Sequence, residues 1–167
     1  MGTANSGEPH QSRTSHRLSH DIKHMNSKRY CSTHEPISGV ETMSQERSVA
    51  IIDDDESTRE ALEDLLDSYG LPSHSFQSAD QFLSDLRRTR VCCLLLDVNM
   101  PGCSGIELQA ELAKDPNPPA IIFVTSYQDT RTRTAAMRAG AVAFLAKPVD
   151  VSLLIAALET VLHERIV

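Results

Sequence analysis

The chain has 167 residues, 40% of them hydrophobic and 4% aromatic, so one domain of ordinary size with an aliphatic core is expected. Its net charge of −7 argues against general nucleic-acid binding, which requires a basic face. Its apolar runs are far shorter than the roughly 20 residues of a membrane span, no signal peptide is evident, and the four cysteines suggest neither disulfides nor a metal site. These features favour a cytoplasmic protein.

Residues 1–46 are rich in Ser, Thr, His and charged residues and show no apolar periodicity, which predicts a disordered tail. Three of the tail's histidines follow one another at i, i+4 and i+8, but no helical pattern supports a zinc site there. A plainer hypothesis is that Met43 is the natural start and that the preceding residues lie upstream of it. The folded domain is expected to span residues 47–167.

From Ser48 onward, short apolar runs alternate with amphipathic segments, and this alternation predicts five β-α units. The predicted strands are Val49–Ile52, Ser73–Phe76, Val91–Asp97, Ala120–Ser126 and Ala141–Ala146. The predicted helices are Ser57–Tyr69, Ser78–Arg88, Gly105–Lys114, Asp129–Ala139 and Asp150–Glu164. Such alternation predicts an α/β fold with a doubly wound, five-stranded parallel sheet and helices on both of its faces.

Finer features of these elements can also be predicted. Ser57 with Glu60, and Ser78 with Gln81, have the spacing of capping boxes at the starts of the first two helices. Asp55, just before the first helix, is interpreted as a helix cap or turn residue. Leu86 falls on the apolar stripe of the second helix. The third strand is apolar on both faces, which indicates a central position, whereas the weaker second strand is expected at an edge.

Polar side chains stand at the carboxyl ends of four predicted strands. They are Asp53, Asp54 and Asp55 after the first, Asp97 at the third, Thr125 and Ser126 at the fourth, and Lys147 after the fifth. Because parallel strands end at one edge of the sheet, these side chains are expected to converge. Clustered carboxylates stay ionised together only with a cation among them, and oxygen ligands suit Mg²⁺. Since an Asp carboxylate can attack phosphorus, the sequence predicts a phosphoryl-acceptor pocket.

The same residues carry a resemblance to a known family. Asp53-Asp54, "LLLDVNMPGCSGIEL" around Asp97, "FVTS" with Thr125 and "FLAKP" with Lys147 resemble the receiver domain of bacterial two-component response regulators. The resemblance covers about residues 47–167, and the "MPG" turn and "AKPVD" ending are similar to the nitrogen-fixation-type subfamily. It implies a flavodoxin-like (βα)5 fold and a phosphoryl group taken onto Asp97 from a sensor histidine kinase or phosphotransfer protein.

The resemblance also implies roles for individual residues at the pocket. The implied magnesium ligands are Asp54 and Asp97 directly, Asp53 mainly through water, and the backbone carbonyl of Asn99. Lys147 would contact the phosphoryl group, and the peptide bond between Lys147 and Pro148 would be cis.

Thr125 and Phe144 occupy the positions of the family's switch, and both would move inward on phosphorylation. Two further positions influence the lifetime of the phosphoryl group in this family, and here they are Asn99 and Tyr127. A tyrosine can shield the phosphoryl group from water, so we expect a lifetime of minutes.

The sequence therefore predicts a single-domain response regulator that is not an enzyme with separate substrate turnover. Its output would pass through the surface of the fourth helix, fifth strand and last helix, to a downstream protein or a second copy. Direct DNA binding is not expected because the chain ends soon after its last helix. One alternative is an aspartyl-nucleophile phosphatase, although Asn99 stands where such an enzyme has its acid. The other is a receiver-like binding module that no longer takes phosphate.

Overall fold

The computed structural model describes residues 47–164, and side chains as far as residue 163. The strands are Ser48–Ile52 (β1), Ser73–Phe76 (β2), Val91–Leu96 (β3), Ala120–Thr125 (β4) and Ala143–Ala146 (β5). The α-helices are Glu56–Ser68 (α1), Ala79–Ser84 (α2), Gly105–Leu112 (α3), Thr130–Arg138 (α4) and Val151–Glu164 (α5). The tail prediction and the hypothesis about Met43 concern residues outside the described range.

All five strands run parallel, in the order β2-β1-β3-β4-β5. The predicted parallel α/β sheet is confirmed, with β2 at an edge and β3 in the centre. The chain leaves β1 toward one side for β2 and then crosses to the other side for β3, so the reversal of strand order lies between β1 and β3. A crevice is expected beside the carboxyl ends of the strands at such a reversal.

Helices pack on both faces of the sheet because successive strand residues point to opposite sides. Along β3, Leu94 and Leu96 join a core with residues of α2, α3 and α4, whereas Leu95 joins a second core with residues of α1 and α5. Every residue of β1 and β3 is buried. This two-sided burial explains why both strands read as continuous apolar runs.

The start of α1 differs from the prediction. Asp55 is the N-cap, and its carboxylate accepts hydrogen bonds from the backbone N–H of Ser57 at 3.0 Å and from the Ser57 hydroxyl at 2.8 Å. The predicted capping box of Ser57 with Glu60 is therefore wrong, because an aspartate two residues earlier already satisfies the first turn. At the other end, Gly70 adopts φ 68° and confirms the predicted stop.

The second helix is shorter than predicted. Ser78 caps it by accepting from the Gln81 backbone N–H, but the Gln81 side chain accepts from Gln77 rather than closing the box on Ser78. The helix ends at Ser84, and a 3₁₀ helix follows at Leu86–Arg90. The Asp85 carboxylate caps this new turn.

Leu86 is 91% exposed, so its predicted place on the apolar stripe is wrong. The hydrogen bonds of the Asp85 carboxylate to the backbone N–H and guanidinium of Arg87 start a new turn and rotate Leu86 away from the core. Smaller shifts affect β3 and β4, which end one residue earlier than predicted, and β5, which begins two residues later. Across the described residues, every helix falls short of the length and apolar character needed to cross a bilayer.

The contrast between two leucines tests this packing. Leu95 is 1% exposed, so Leu95→Ala should lower the free energy of unfolding by about 2–5 kcal/mol through lost burial and a cavity. Leu86→Ala should change it by no more than about 0.5 kcal/mol. Urea unfolding followed by circular dichroism measures both. An equal loss in the two variants would mean that Leu86 is buried after all.

Candidate functional site

The rim of the sheet is held together by backbone hydrogen bonds that continue the strand ladders by one residue. The backbone N–H of Asp53 donates to the last carbonyl of β2 at 3.1 Å, and that of Asp97 donates to the last carbonyl of β1 at 2.9 Å. The N–H of Lys147 donates to the carbonyl of Thr125 at 2.9 Å. Each of these residues is thereby fixed to the strand beside it, so residues distant in sequence converge as predicted.

Three carboxylates meet at this rim. One carboxylate oxygen each from Asp53, Asp54 and Asp97 lies within 4.8 Å of the others. Asp53 and Asp97 are buried, whereas Asp54 is exposed. The cluster therefore reaches from the buried end of the sheet to solvent, which leaves one side open to a ligand.

Lys147 supplies the opposite charge. Its Nζ lies 2.6 Å from Oδ2 of Asp53 and 3.9 Å from Oδ1 of Asp97. Its side chain is half-buried, so this ion pair is screened less than one at the surface. The ammonium is held mainly by Asp53, within reach of any group that forms on Asp97.

Burial raises the pKa of the Asp97 carboxyl above its ordinary value, and the Asp53 carboxylate acts in the same direction. The hydroxyl of Thr125 and the ammonium of Lys147 act against this shift. One ammonium among three ionised carboxylates leaves a surplus of two negative charges. An oxygen-coordinated divalent cation would offset that surplus, so the donor set fits Mg²⁺.

Thr125 is fully buried at the end of β4, and its hydroxyl accepts a hydrogen bond from the Tyr127 backbone N–H at 3.1 Å. Tyr127 itself is 42% exposed in the loop that follows. Phe144 is buried on β5, and its ring centroid lies 5.6 Å from that of Phe123 on β4. Asn99 is exposed in the loop after Asp97.

The loops of the rim contain the Lys147–Pro148 bond, Asp55 and Ser126. The peptide bond between Lys147 and Pro148 is cis, as predicted. Asp55 caps α1 and is exposed, which makes it a structural residue beside the acidic cluster. Ser126 lies just outside β4, also exposed.

Gly105 is a residue of the site that the sequence analysis missed. It is the first residue of α3, and its N–H donates to the Val98 carbonyl at 3.0 Å. A Cβ on Gly105 would lie 2.1 Å from the carbonyl oxygen of Asp97. Only a glycine lets α3 approach the backbone of Asp97 this closely. The signal in the sequence is a glycine at a helix start, where alanine is the better helix former.

Arg59 was missed as well. Its Nη1 donates to the backbone carbonyl of Asp53 at 2.7 Å, which ties α1 to the loop that carries the first two carboxylates. The Asp53 carboxylate also accepts from the Asp55 backbone N–H at 3.0 Å. An arginine within a polar helix surface gives no sign in the sequence that it points at this loop.

The close approach at Gly105 gives a test. Gly105→Ala should destabilise the protein by roughly 1–3 kcal/mol because the methyl group overlaps the Asp97 carbonyl, although helix propensity alone would favour alanine by about 1 kcal/mol. Urea unfolding measures the stability, and amide NMR shifts at Asp97 and Val98 should change. Gly140→Ala is the control, because its Cβ would meet nothing within 4 Å; its φ of 93° disfavours alanine, so it should lose some stability but leave the amide shifts of Asp97 and Val98 unchanged. A stabilised Gly105→Ala protein would contradict the steric reading.

Comparisons with known proteins agree with this geometry. The family model of the response regulator receiver domain matches residues 49–159. The response regulator protein TodT of Pseudomonas putida is 41% identical over 111 residues, which cover 66% of this chain and 49% of TodT. The transcriptional regulatory protein FixJ of Bradyrhizobium diazoefficiens is 35% identical over 122 residues, which cover 73% of this chain and 60% of FixJ. The chain thus spans about half the length of these curated relatives.

Solved structures give the same result. The response regulator StyR superposes with a TM-score of 0.65 and 41% identity, over 71% of this chain and 60% of the StyR chain. A response regulator receiver protein from Burkholderia phymatum superposes with a TM-score of 0.62 and 39% identity, over 70% of this chain and 95% of that chain. The family match spans most of the described residues and includes the acidic rim, so this chain belongs to the response regulator receiver domain family.

Proposed function

We propose that this domain takes a phosphoryl group onto the carboxylate of Asp97, from a phosphohistidine of a sensor histidine kinase or phosphotransfer protein. The observation that carries the proposal is the placement of Asp97. It lies at the end of the central strand, beside Asp53, Asp54, Lys147 and Thr125. Asp97 is therefore the carboxylate that the other groups of the rim surround.

The chemistry is a substitution at phosphorus. An Oδ atom of Asp97 would form the new bond to phosphorus while the bond from phosphorus to the imidazole nitrogen breaks. The electron pair stays on the imidazole nitrogen, and the imidazole ends neutral, either because its other nitrogen already carries a proton or because it takes one up from solvent. Lys147 would pair with the oxygens of the transferred phosphoryl group, and the hydroxyl of Thr125 would donate a hydrogen bond to them. Hydrolysis of the same acyl phosphate by water would return Asp97 to its carboxylate, with no other substrate turned over.

Magnesium would be held by the carboxylates of Asp54 and Asp97 and by the backbone carbonyl of Asn99, with Asp53 acting mainly through water. Bound Mg²⁺ supplies positive charge to the phosphoryl oxygens in the transition state. The cluster of three carboxylates and one ammonium supports this assignment.

The switch would run along neighbouring strands. Phosphorylation adds negative charge beside Thr125, and its hydroxyl would turn toward the new oxygens. Phe144 lies across from Phe123, two residues before Thr125 on the adjacent strand, so a change at Thr125 reaches the aromatic pair through β4. The surface of α4, β5 and α5 would then repack and present the output.

The rival functions have weaker support. Asn99 is exposed and its amide cannot donate a proton as a general acid, which disfavours the phosphatase. Membership in the receiver family, together with Asp97, Lys147 and Thr125 at one rim, disfavours a module that takes no phosphate. We also propose a cytoplasmic location, which membership in the receiver family supports.

Incubation with acetyl phosphate and Mg²⁺, followed by intact-mass analysis, tests the proposal. The parent should gain one phosphoryl group, Asp97→Asn should gain none, and EDTA should prevent the gain. Asp54→Asn should label at least about tenfold more slowly, which corresponds to about 1.4 kcal/mol of transition-state stabilisation. The matched control is Asp64→Asn, an exposed carboxylate on α1, which should label like the parent. A parent that gains no phosphoryl group, or an Asp97→Asn protein that does, would overturn the proposal.

The lifetime of the phosphorylated form gives a second test. We propose that Tyr127 shields the phosphoryl group from water and gives a lifetime of minutes. Tyr127→Ala should then lose its phosphoryl group about threefold faster or more, measured by intact mass after acetyl phosphate is removed. Tyr69→Ala is the matched control, because Tyr69 is 43% exposed against 42% for Tyr127. Equal decay in Tyr127→Ala and the parent would remove the shielding role.

A further inference from the structure

The segment from α4 to β5 is basic, although the net charge of the whole chain is −7. Residues 130–148 contain four basic side chains and no carboxylate. Lys147 forms an ion pair with Asp53 at the acidic rim, whereas Arg131, Arg133 and Arg138 are exposed on α4. Within residues 47–164, none of these three arginines pairs with a carboxylate. We call these three residues the α4 arginines.

The carboxylates that flank the segment have other partners. Asp129 caps α4 and accepts from the Thr132 backbone N–H and hydroxyl, both at 2.9 Å. Asp150 accepts from the backbone N–H groups of Ser152 and Leu153 at the start of α5. Both carboxylates are thus engaged at helix starts, and neither forms an ion pair with an α4 arginine.

A groove lies beside these arginines. Its volume is about 670 Å³, within the range of roughly 300–1,000 Å³ for ligand sites. Its lining includes Arg133, Thr134, Met137, Arg138, Phe144 and Ala146. Met137 is 41% exposed, so the groove combines an accessible apolar side chain with two guanidinium groups.

We propose that this groove binds an acidic segment of a different protein. Carboxylates of the segment pair with Arg133 and Arg138, and one apolar side chain packs against Met137 and Phe144. The inference rests on the proposed function, because it names the partner of the surface that phosphorylation would repack. Phe144 belongs both to the groove and to the switch, so phosphorylation changes the affinity for the segment, and binding of the segment changes the phosphorylation equilibrium by the same factor.

Two other occupants fit the surface less well. A symmetric contact between two copies sets the same patch against itself, so the α4 arginines of both copies would face one another. Such like-charge contacts oppose association. A nucleic acid would meet a chain whose overall net charge is −7 and would leave the apolar side of the groove unused.

Peptide binding to the phosphorylated protein tests the inference. The probe is a short fluorescein-labelled peptide in which glutamates flank one phenylalanine, and its counterpart has lysines in place of the glutamates. Fluorescence anisotropy should show the acidic peptide binding at least about tenfold more tightly than the basic one. Added salt should weaken this binding, because exposed charges carry it.

Matched variants locate the site. Arg133→Glu should abolish the preference for the acidic peptide, whereas Arg90→Glu, the same charge change at an exposed arginine of the 3₁₀ helix, should retain it. Met137→Ala should weaken binding severalfold, and Leu86→Ala, which removes a more exposed apolar side chain elsewhere, should not. Equal binding of the two peptides, or equal loss in Arg133→Glu and Arg90→Glu, would overturn the inference.

The competing occupants give two further outcomes. Sedimentation velocity should show that the phosphorylated chain stays monomeric; a dimer that Met137→Arg disrupts would assign the face to a second copy and reject our proposal. Tighter binding of a labelled DNA duplex than of the acidic peptide, lost in Arg133→Glu, would also reject it. Intact-mass analysis distinguishes failure of the proposed function from failure of this inference. Absent labelling of Asp97 contradicts the proposed function, whereas labelled protein without the peptide preference contradicts only this inference.

Discussion

The repulsion among three carboxylates at the ends of β1 and β3 is the constraint on which the rest of this structure depends. Asp53, Asp54 and Asp97 bring their oxygens within 4.8 Å of one another, and two of the three side chains are buried. Lys147 offsets one of the three charges through its ion pair with Asp53. The remaining negative charge favours a divalent cation at the rim, and we propose that such a cation lets the rim hold a phosphoryl group on Asp97.

Holding like charges together requires a rigid support, and the sheet provides it. β1 and β3 are buried along their whole length, and the backbone N–H groups of Asp53 and Asp97 are bonded to neighbouring strands. Arg59 ties α1 to the Asp53 carbonyl, and Gly105 lets α3 reach the Asp97 carbonyl. The groups that would do chemistry are thus positioned by residues that take no part in it.

A basic surface on α4 lies beside the acidic rim. β4 and β5 connect them, since Thr125 ends β4 beside Asp97 and Phe144 sits on β5 next to the groove of α4. The groove lies close to the rim, because Ala146, which lines it, pairs with Thr125 and directly precedes Lys147. The α4 arginines give that surface a charge opposite to the net charge of −7 of the whole chain.

The sequence by itself determined the five β-α units, the parallel sheet and the rim residues Asp53, Asp54, Asp97, Thr125 and Lys147. This was possible because strands buried on both faces have continuous apolar sequences. In addition, parallel strands bring their carboxyl ends to one edge of the sheet for any conformation of the connecting loops. Motif order and strand-end placement also sufficed for the family, which the match over residues 49–159 confirms.

Only the tertiary structure decided the remaining features, because each depends on contacts between segments or on competition between nearby polar groups. The capping box of Ser57 with Glu60 did not form, and Leu86 turned out of the core, because of hydrogen bonds to Asp55 and Asp85 that periodicity does not record. The need for glycine at position 105 follows from the short distance between α3 and the Asp97 backbone, which no local sequence pattern indicates. Arg133 and Phe144 lie 11 positions apart in sequence, and only the packing of α4 against β5 makes them walls of one groove.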